Sequence, residues 1–385
     1  MKVWIAFGGV SLWLTAASAV LAEPFDCAAA GNAAAQCGAG ADNNLRINDL
    51  QAVGSHNSYK ASIPAAELAM IATQSAEAAE SLDYAHIPLQ QQLDLGMRQL
   101  EIDIYYDPKG GRFANPLLPR ISGATFDVSQ LQAPGFKVLH TSDIDVRSHC
   151  PTLAMCLQDI EAWSDAHPGH APILILFNTK SSTLPIPGAT EVLAFDEAAF
   201  AALDAELRAA LGPDDFIEPD DVRRTAPSLR EAVMQSGWPT LSESRGKLIF
   251  ALDSDPATVT TYMRGQASLE GLPIFINSLS LEAPHAAYFT INEPVEKRDQ
   301  IEAAVRAGMI VRTRADADTK EARSGNTSRR EIAFASGAQY VSTDYYYPRA
   351  EWSDYSVKLP GGSAVRCNPV RYPKCCVTSK EQTGK

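Results

Sequence analysis

Short apolar runs alternate along this 385-residue chain with stretches of helical spacing, and most of the runs end in a polar or charged residue. The largely apolar run from Leu50 to Val53 breaks at Gly54 and delivers His56 and Asn57 side by side, which reads as a buried strand ending in a functional loop. Met97-Arg-Gln-Leu-Glu-Ile-Asp-Ile-Tyr105 alternates polar and apolar positions with the period of a strand. Ile173-Leu-Ile-Leu-Phe177 is apolar throughout, as expected of a strand buried on both faces. Residues 136–140, 247–253, 273–277, 309–313 and 339–344 bring the predicted strands to eight. Between them the spacing turns helical over 65–81, 88–95, 151–167, 195–211, 229–234, 293–307 and 328–336, while 107–135 reads as loop. This alternation, with polar groups gathered at the strands' carboxyl ends, predicts an α/β fold of the (β/α)8 TIM-barrel type, whose active site lies on that face. An open doubly wound sheet is the rival, but no glycine-rich phosphate loop follows any strand.

The two ends of the chain suggest where it works. Met1-Lys2 precedes an apolar run from Val3 to Ala22 with small residues at Ala17, Ala19 and Ala22, so residues 1–22 read as a secretory signal and the mature protein as secreted or periplasmic. Residues 23–45 form an irregular lead-in, 46–348 the single barrel domain, and 349–385 an extension packed on it. Seven cysteines in an exported chain point to disulfides, and proximity suggests Cys27 with Cys37, Cys150 with Cys156, and Cys367 with Cys375 or Cys376. The net charge of −13 disfavours nucleic acid, which needs a basic footprint. No later stretch is long and apolar enough to span a bilayer, so any membrane contact is expected to be peripheral; a monomer is expected.

Polar residues at the predicted strand ends supply the chemistry. Glu101 and Asp103 are two apart and share one face of their strand. Inside a barrel they would repel unless a cation held them; on an open antiparallel strand they would simply face water. His56 can move a proton and Asn57 can ligate a cation, although Ser55, Asn57 and Ser58 also suit a turn that bonds its own backbone. His140 closes the third predicted strand, where a lone histidine is more often a satisfied structural residue than a catalyst. Asn178 closes the fourth, with Lys180 at the same parity; Arg312 and Arg314 share a face of the seventh; Asp253 and Asp344 end the fifth and eighth.

Gly-Ser-His-Asn-Ser-Tyr59, Leu-Glu-Ile-Asp103 and Leu-His-Thr-Ser142, in this order, resemble the calcium-dependent phosphatidylinositol-specific phospholipases C, in particular the secreted bacterial branch. Val311-Arg-Thr-Arg-Ala-Asp316 and Ser336-Gly-Ala-Gln-Tyr-Val-Ser-Thr-Asp344 are similar to that branch as well. The resemblance implies a catalytic pair, His56 and His140, with Asn57, Glu101 and Asp103 as ligands of Ca2+. Eukaryotic members place a further glutamate where this chain has Asn178, whose amide oxygen could still ligate. Metal-independent relatives carry an arginine at the position of Asp103, so the acid favours the metal-dependent mode. Lys180, Arg312 and Arg314 become candidates for contacts to the substrate, phosphatidylinositol or a related phospholipid at a membrane surface. The implied reaction is attack by an inositol hydroxyl on the phosphodiester, giving diacylglycerol and a cyclic inositol phosphate, with His56 favoured as base and His140 as acid while the opposite assignment, or Glu101 as base, stays open. Another barrel phosphodiesterase, of the glycerophosphodiesterase or phospholipase D type, and a non-catalytic lipid-binding barrel are the alternatives. The first usually shows an early His-Arg-Gly, which Ser55-His-Asn57 lacks.

Overall fold

In the computed structural model, which describes residues 44–372, the apolar runs become strands and the strands close on themselves. They are β1 (Leu50–Ser55), β2 (Gln99–Asp107), β3 (Gly135–Val138), β4 (Ile173–Thr179), β5 (Phe216–Ile217), β6 (Leu248–Asp253), β7 (Phe275–Ile276), β8 (Tyr288–Thr290), β9 (Ile310–Arg314), β10 (Tyr340–Thr343) and β11 (Val365–Cys367). Parallel pairing runs β1–β2–β4–β6–β7–β8–β9–β10 and back to β1, with a single bridge, Asn277 to Tyr288, joining β7 to β8. Eight parallel strands in a closed circuit, with helices in every crossover except that from β7 to β8, make a barrel of the (β/α)8 type. The proposed signal peptide, the Cys27–Cys37 pair and Cys375 and Cys376 fall outside the described residues.

Two of the predictions need correction. Residues 136–140 are not a barrel strand: β3 pairs antiparallel with the distal half of β2, from Ile104 opposite Val138 to Asp107 opposite Gly135. The cause is the length of β2, which pairs with β4 only as far as Ile104 and then projects beyond the barrel, where its free edge is met by β3. The strand that takes the vacant place in the circuit is β8, whose three residues follow Ala286 and Ala287 and are too few to show a period. The break read at Gly54 is also absent. Gly54 lies inside β1, and a Cβ there would stand 2.2 Å from the Gln99 Oε1, so the residue permits close packing of β1 on β2 rather than a turn.

Inward positions stack in layers across the paired strands. Gln99, Leu174 and Ile249 are in register, then Glu101, Leu176 and Ala251, then Asp103, Asn178 and Asp253. Polarity therefore rises toward the carboxyl ends. The alternate residues, among them Ile102, Ile175, Phe177 and Phe250, are fully buried against the helices. At the other end β11 pairs antiparallel with Leu50 to Ala52 and β5 pairs with Leu248 and Ile249, extending the sheet where neighbouring barrel strands have not yet begun. The predicted Cys150–Cys156 disulfide is present and ties the loop after β3 to the first turn of the helix Leu153–Ala166.

One core residue makes a pH prediction remote from the site. His170 is fully buried, donates from Nδ1 to the Ala171 carbonyl at 2.7 Å and accepts the Ser164 hydroxyl on Nε2 at 2.7 Å. Burial lowers its pKa to about 4. Between the unfolded value near 6.5 and this one, the unfolded chain takes up a proton that the folded chain refuses, so the group's support is complete above about pH 6.5 and is lost as pH falls. Denaturant unfolding at pH 7 and pH 5 should show the parent losing about 2 kcal/mol more than His170→Gln, at about 1.4 kcal/mol per pH unit below 6.5. Equal losses would show that the buried imidazole does not resist protonation.

Candidate active site

The period of β2 sends Glu101 and Asp103 to the same side, and their partners show that side to be the barrel interior. Glu101 is ion-paired with Arg312 of β9, which is separated from β2 in the sheet by β1 and β10, so the contact crosses the lumen. Asp103 is fully buried, with Lys180 Nζ 2.8 Å from Oδ2 as an ion pair rather than a well-directed hydrogen bond. Its Oδ1 is buried without a hydrogen-bond partner. The expectation that two buried acids here demand a metal is thus too strong: Arg312 and Lys180 already place a fixed positive charge on each.

His56 stands directly after β1. Its Nδ1 donates to Asp344 Oδ1 at 2.9 Å, and Arg314 donates toward Nε2 at 3.4 Å and to Asp344 Oδ2 at 3.2 Å. Burial, then the Arg314 guanidinium, hold the His56 pKa well below the ordinary value, so at neutral pH the ring is neutral with its proton on Nδ1. The ring stacks 6.0 Å from Tyr84, whose hydroxyl accepts Asn57 Nδ2 at 2.7 Å. Asn57 itself sits at φ 47°, a left-handed conformation that asparagine adopts more readily than most residues and that closes the turn after β1. Behind this turn, buried His86 donates from Nε2 to the His56 carbonyl at 2.7 Å and accepts the Tyr346 hydroxyl on Nδ1 at 3.2 Å. Burial lowers the His86 pKa to about 4, which keeps this brace uncharged.

His140 lies two residues beyond β3 and has a carboxylate of its own. Nδ1 donates to Asp145 Oδ2 at 2.8 Å, and the same oxygen is 3.3 Å from Lys60 Nζ. Lys60 and Asp145 are both fully buried; the ammonium also donates to the carbonyls of Leu82 at 3.0 Å and Tyr84 at 2.7 Å. Each imidazole therefore carries a buried acid on Nδ1, and Nε2 of His56 meets the Arg314 guanidinium at 3.4 Å.

The structure gathers His56, Asn57, Glu101, Asp103, Asn178, Lys180, Arg312 and Arg314 at one end of the barrel, with His140 brought in by the β2–β3 ribbon. Asn178 is in register between Asp103 and Asp253. Arg312 is only 1% exposed and bonded to Glu101 and Asn292, which makes it a counter-ion from below, whereas the Lys180 and Arg314 side chains retain 25% and 14% exposure. Asp145 and Lys60 belong to the site without any mark of it in the sequence. Nothing in their spacing marks them, although Asp145 follows His140 by five residues, a distance that a tight turn can close.

Calcium fits the donors in kind. With its amide nitrogen committed to Tyr84, Asn57 has Oδ1 free to face a ligand, and with the Glu101 and Asp103 carboxylates this gives an all-oxygen set of the type hard divalent cations take. The orphaned Asp103 Oδ1 is the atom such an ion would satisfy. Among the described residues no group of three or more His, Cys, Asp or Glu side chains gathers as a metal cluster, so the amide oxygen and ligands from outside the protein would have to complete the shell.

The same fold is found in solved calcium-dependent phosphoinositol-specific phospholipase C structures. An apo form from the Gram-negative bacterium Pseudomonas sp. superposes with a TM-score of 0.54 at 14% identity, covering 85% of this chain and 96% of that one. A myo-inositol complex of the Pseudomonas enzyme gives 0.53 at 16%, with coverages of 85% and 96%. A calcium-dependent phosphatidylinositol-specific phospholipase C from Streptomyces antibioticus gives 0.50 at 20%, covering 78% and 95%. At such identities the likeness is one of fold. No curated protein sequence matches the chain. The sequence model of one family, phosphoinositide phospholipase C, Ca2+-dependent, matches residues 45–369, nearly all of the described chain. This protein therefore belongs to the calcium-dependent phosphoinositide phospholipases C, enzymes that cleave phosphatidylinositol.

Proposed function

We propose that the protein cleaves phosphatidylinositol by paired histidine acid–base catalysis, releasing diacylglycerol and a cyclic inositol phosphate that water opens later. The observation that carries this is the matched pair of imidazoles, each with a buried carboxylate on Nδ1, flanking the Glu101–Asp103 face at the barrel mouth. His56 is the base. Its neutral ring turns the unprotonated Nε2 to the inositol hydroxyl that attacks phosphorus, and Asp344 holds the Nδ1 proton so that the correct tautomer is presented. His140 is the acid and gives its Nε2 proton to the leaving diacylglycerol oxygen, with Asp145 keeping the ring in place and Lys60 keeping Asp145 in place. Arg314 meets the phosphate after reaching past Asp344, and Lys180 faces the headgroup from the rim.

Asn57, Glu101 and Asp103 would hold calcium, with Asn178 beside them as a further oxygen donor. When bound, the ion supplies Lewis-acid polarisation of the attacking hydroxyl and a phosphate oxygen. The Cys150–Cys156 disulfide supports export to an oxidising compartment. Among the described residues no helix is long and apolar enough to cross a membrane.

Phosphorus NMR during turnover of phosphatidylinositol tests the reading. A five-membered cyclic phosphate signal should rise first and a monoester signal only later. A monoester formed from the outset would mean that water, not the neighbouring hydroxyl, is the nucleophile. Turnover of glycerophosphodiesters with none of phosphatidylinositol would move the protein to another phosphodiesterase class.

A further inference from the structure

Buried acids around the site come with a cation. Glu101 is paired with Arg312, Asp103 with Lys180, Asp145 with Lys60 and Asp344 with Arg314. Asp316 is different. It is fully buried two residues beyond β9, and the groups that donate to it are neutral. Oδ1 accepts the Asp344 amide at 2.8 Å, and Oδ2 accepts the Thr343 hydroxyl and, at 3.1 Å, the Tyr355 hydroxyl. Burial, with the Asp344 carboxylate beside it, pushes the Asp316 pKa up to about 7, which suits an acid kept for geometry more than for charge.

The ends of β9 and β10 show what that geometry serves. Their pairing reaches Ser342 opposite Arg314, and beyond it the Ala315 amide donates to the Ser342 carbonyl at 2.8 Å. Asp344 lies past the end of β10, so its buried amide has no ladder partner and would be orphaned without an acceptor from elsewhere. The Asp316 carboxyl is that acceptor. Thr343 is tied as well: its hydroxyl donates to Asp316 and accepts the Tyr345 amide at 2.8 Å, while its carbonyl accepts the His56 amide at 3.1 Å. Asp316 therefore grips the two residues that fix His56, Thr343 through the backbone and Asp344 through Nδ1. From the far side Tyr355, buried in the extension after the barrel, backs Asp316 and reaches the Ala315 carbonyl at 3.0 Å.

We propose that Asp316 is the positioning residue of the catalytic base: it sets the end of β10 so that the Asp344 carboxylate meets His56 Nδ1 and Arg314 at once. The inference rests on the reading of His56 as base. A carboxylate just past the end of its strand can drift with the backbone that carries it, and a reacting group displaced by about 1 Å can cost about a hundredfold in rate. A second layer of hydrogen bonds removes that freedom. Through Tyr355 the same layer gives the extension after the barrel a part in holding the base.

The test compares Asp316→Ala with Asp316→Asn on short-chain phosphatidylinositol and on a nitrophenyl ester of inositol phosphate, whose leaving group needs no acid. Asp316→Ala should lower kcat about ten- to hundredfold on both substrates and leave KM within about twofold. Asp316→Asn should recover most of that loss, because its amide oxygen still accepts the Asp344 amide and its NH2 group meets the two hydroxyl oxygens. A readout independent of turnover is the downfield NMR resonance of the His56 Nδ1 proton, assigned by its absence in His56→Ala. It should move or vanish in Asp316→Ala, while the His140 Nδ1 proton, held by Asp145, stays in place. Thr343→Val keeps the size of the side chain and cuts one tie to Asp316, so it should move the same proton by less, and it serves where the alanine variant fails to fold. An unmoved His56 proton, an equal movement of the His140 proton, or equal losses for the alanine and asparagine variants would overturn the proposal. A His56→Ala enzyme of near-normal rate would remove the functional reading instead, and the His56 proton would still decide whether Asp316 places that ring.

Discussion

His140→Ala should slow cleavage of phosphatidylinositol by about two to four decades, and His56→Ala by a similar factor, with both variants folded. Folding is expected because neither change strands a charge: Asp145 keeps Lys60 at 3.3 Å, and Asp344 keeps Arg314 at 3.2 Å. The reverse deletions would leave a buried cation unpaired, which costs far more. The two histidines can then be told apart by the leaving group. A nitrophenyl ester of inositol phosphate departs without a proton, so His140→Ala should recover most of its loss on that substrate while His56→Ala stays slow. Equal recovery, or near-normal rates on phosphatidylinositol in either variant, would refute the division of roles.

Chelation should be as damaging. EDTA is expected to bring turnover to the uncatalysed baseline and added calcium to restore it, since Arg312, Lys180 and Arg314 are each balanced by an acid, Glu101, Asp103 and Asp344, and the ion supplies the surplus positive charge that a phosphodiester in flight needs. Asp103→Asn should raise the calcium needed for half-maximal rate by about tenfold or more, because one of only two carboxylates is lost. Circular dichroism on the same samples keeps the interpretation clean, as Asp103 is buried and its loss leaves Lys180 without its acid. Full activity in chelator would remove the metal from the account. An Asp103→Asn enzyme with the parent's calcium requirement would place the ion elsewhere.

Much of this architecture is visible in the chain because a buried strand writes its period or its apolar run directly into the sequence. β2 and β4 are the plainest cases, and the placing of Glu101 and Asp103 on one face follows from β2 alone, while the turn of that face to the interior comes from the closed barrel. What escapes is everything set by distance along the chain. Phe136 to Val138 has all the marks of a barrel strand, and only the surplus length of β2 shows why it pairs antiparallel outside instead. β8 is three residues long, and its membership depends on neighbours more than on its own pattern. The clamp on Glu101 comes from Arg312, 211 positions away, and the acid on His56 from Asp344, 288 away. Asp145 is close to His140 in sequence, yet its role becomes visible only with Lys60 buried against it.

A crystal structure with calcium and a non-hydrolysable phosphatidylinositol headgroup analogue bound tests the central claim most directly. It should show the ion held by Asn57, Glu101 and Asp103, with Nε2 of His56 and of His140 within about 3 Å of opposite oxygens on one phosphoryl group. An ion bound away from β2, or a phosphoryl group that one of the two rings cannot reach, would contradict it.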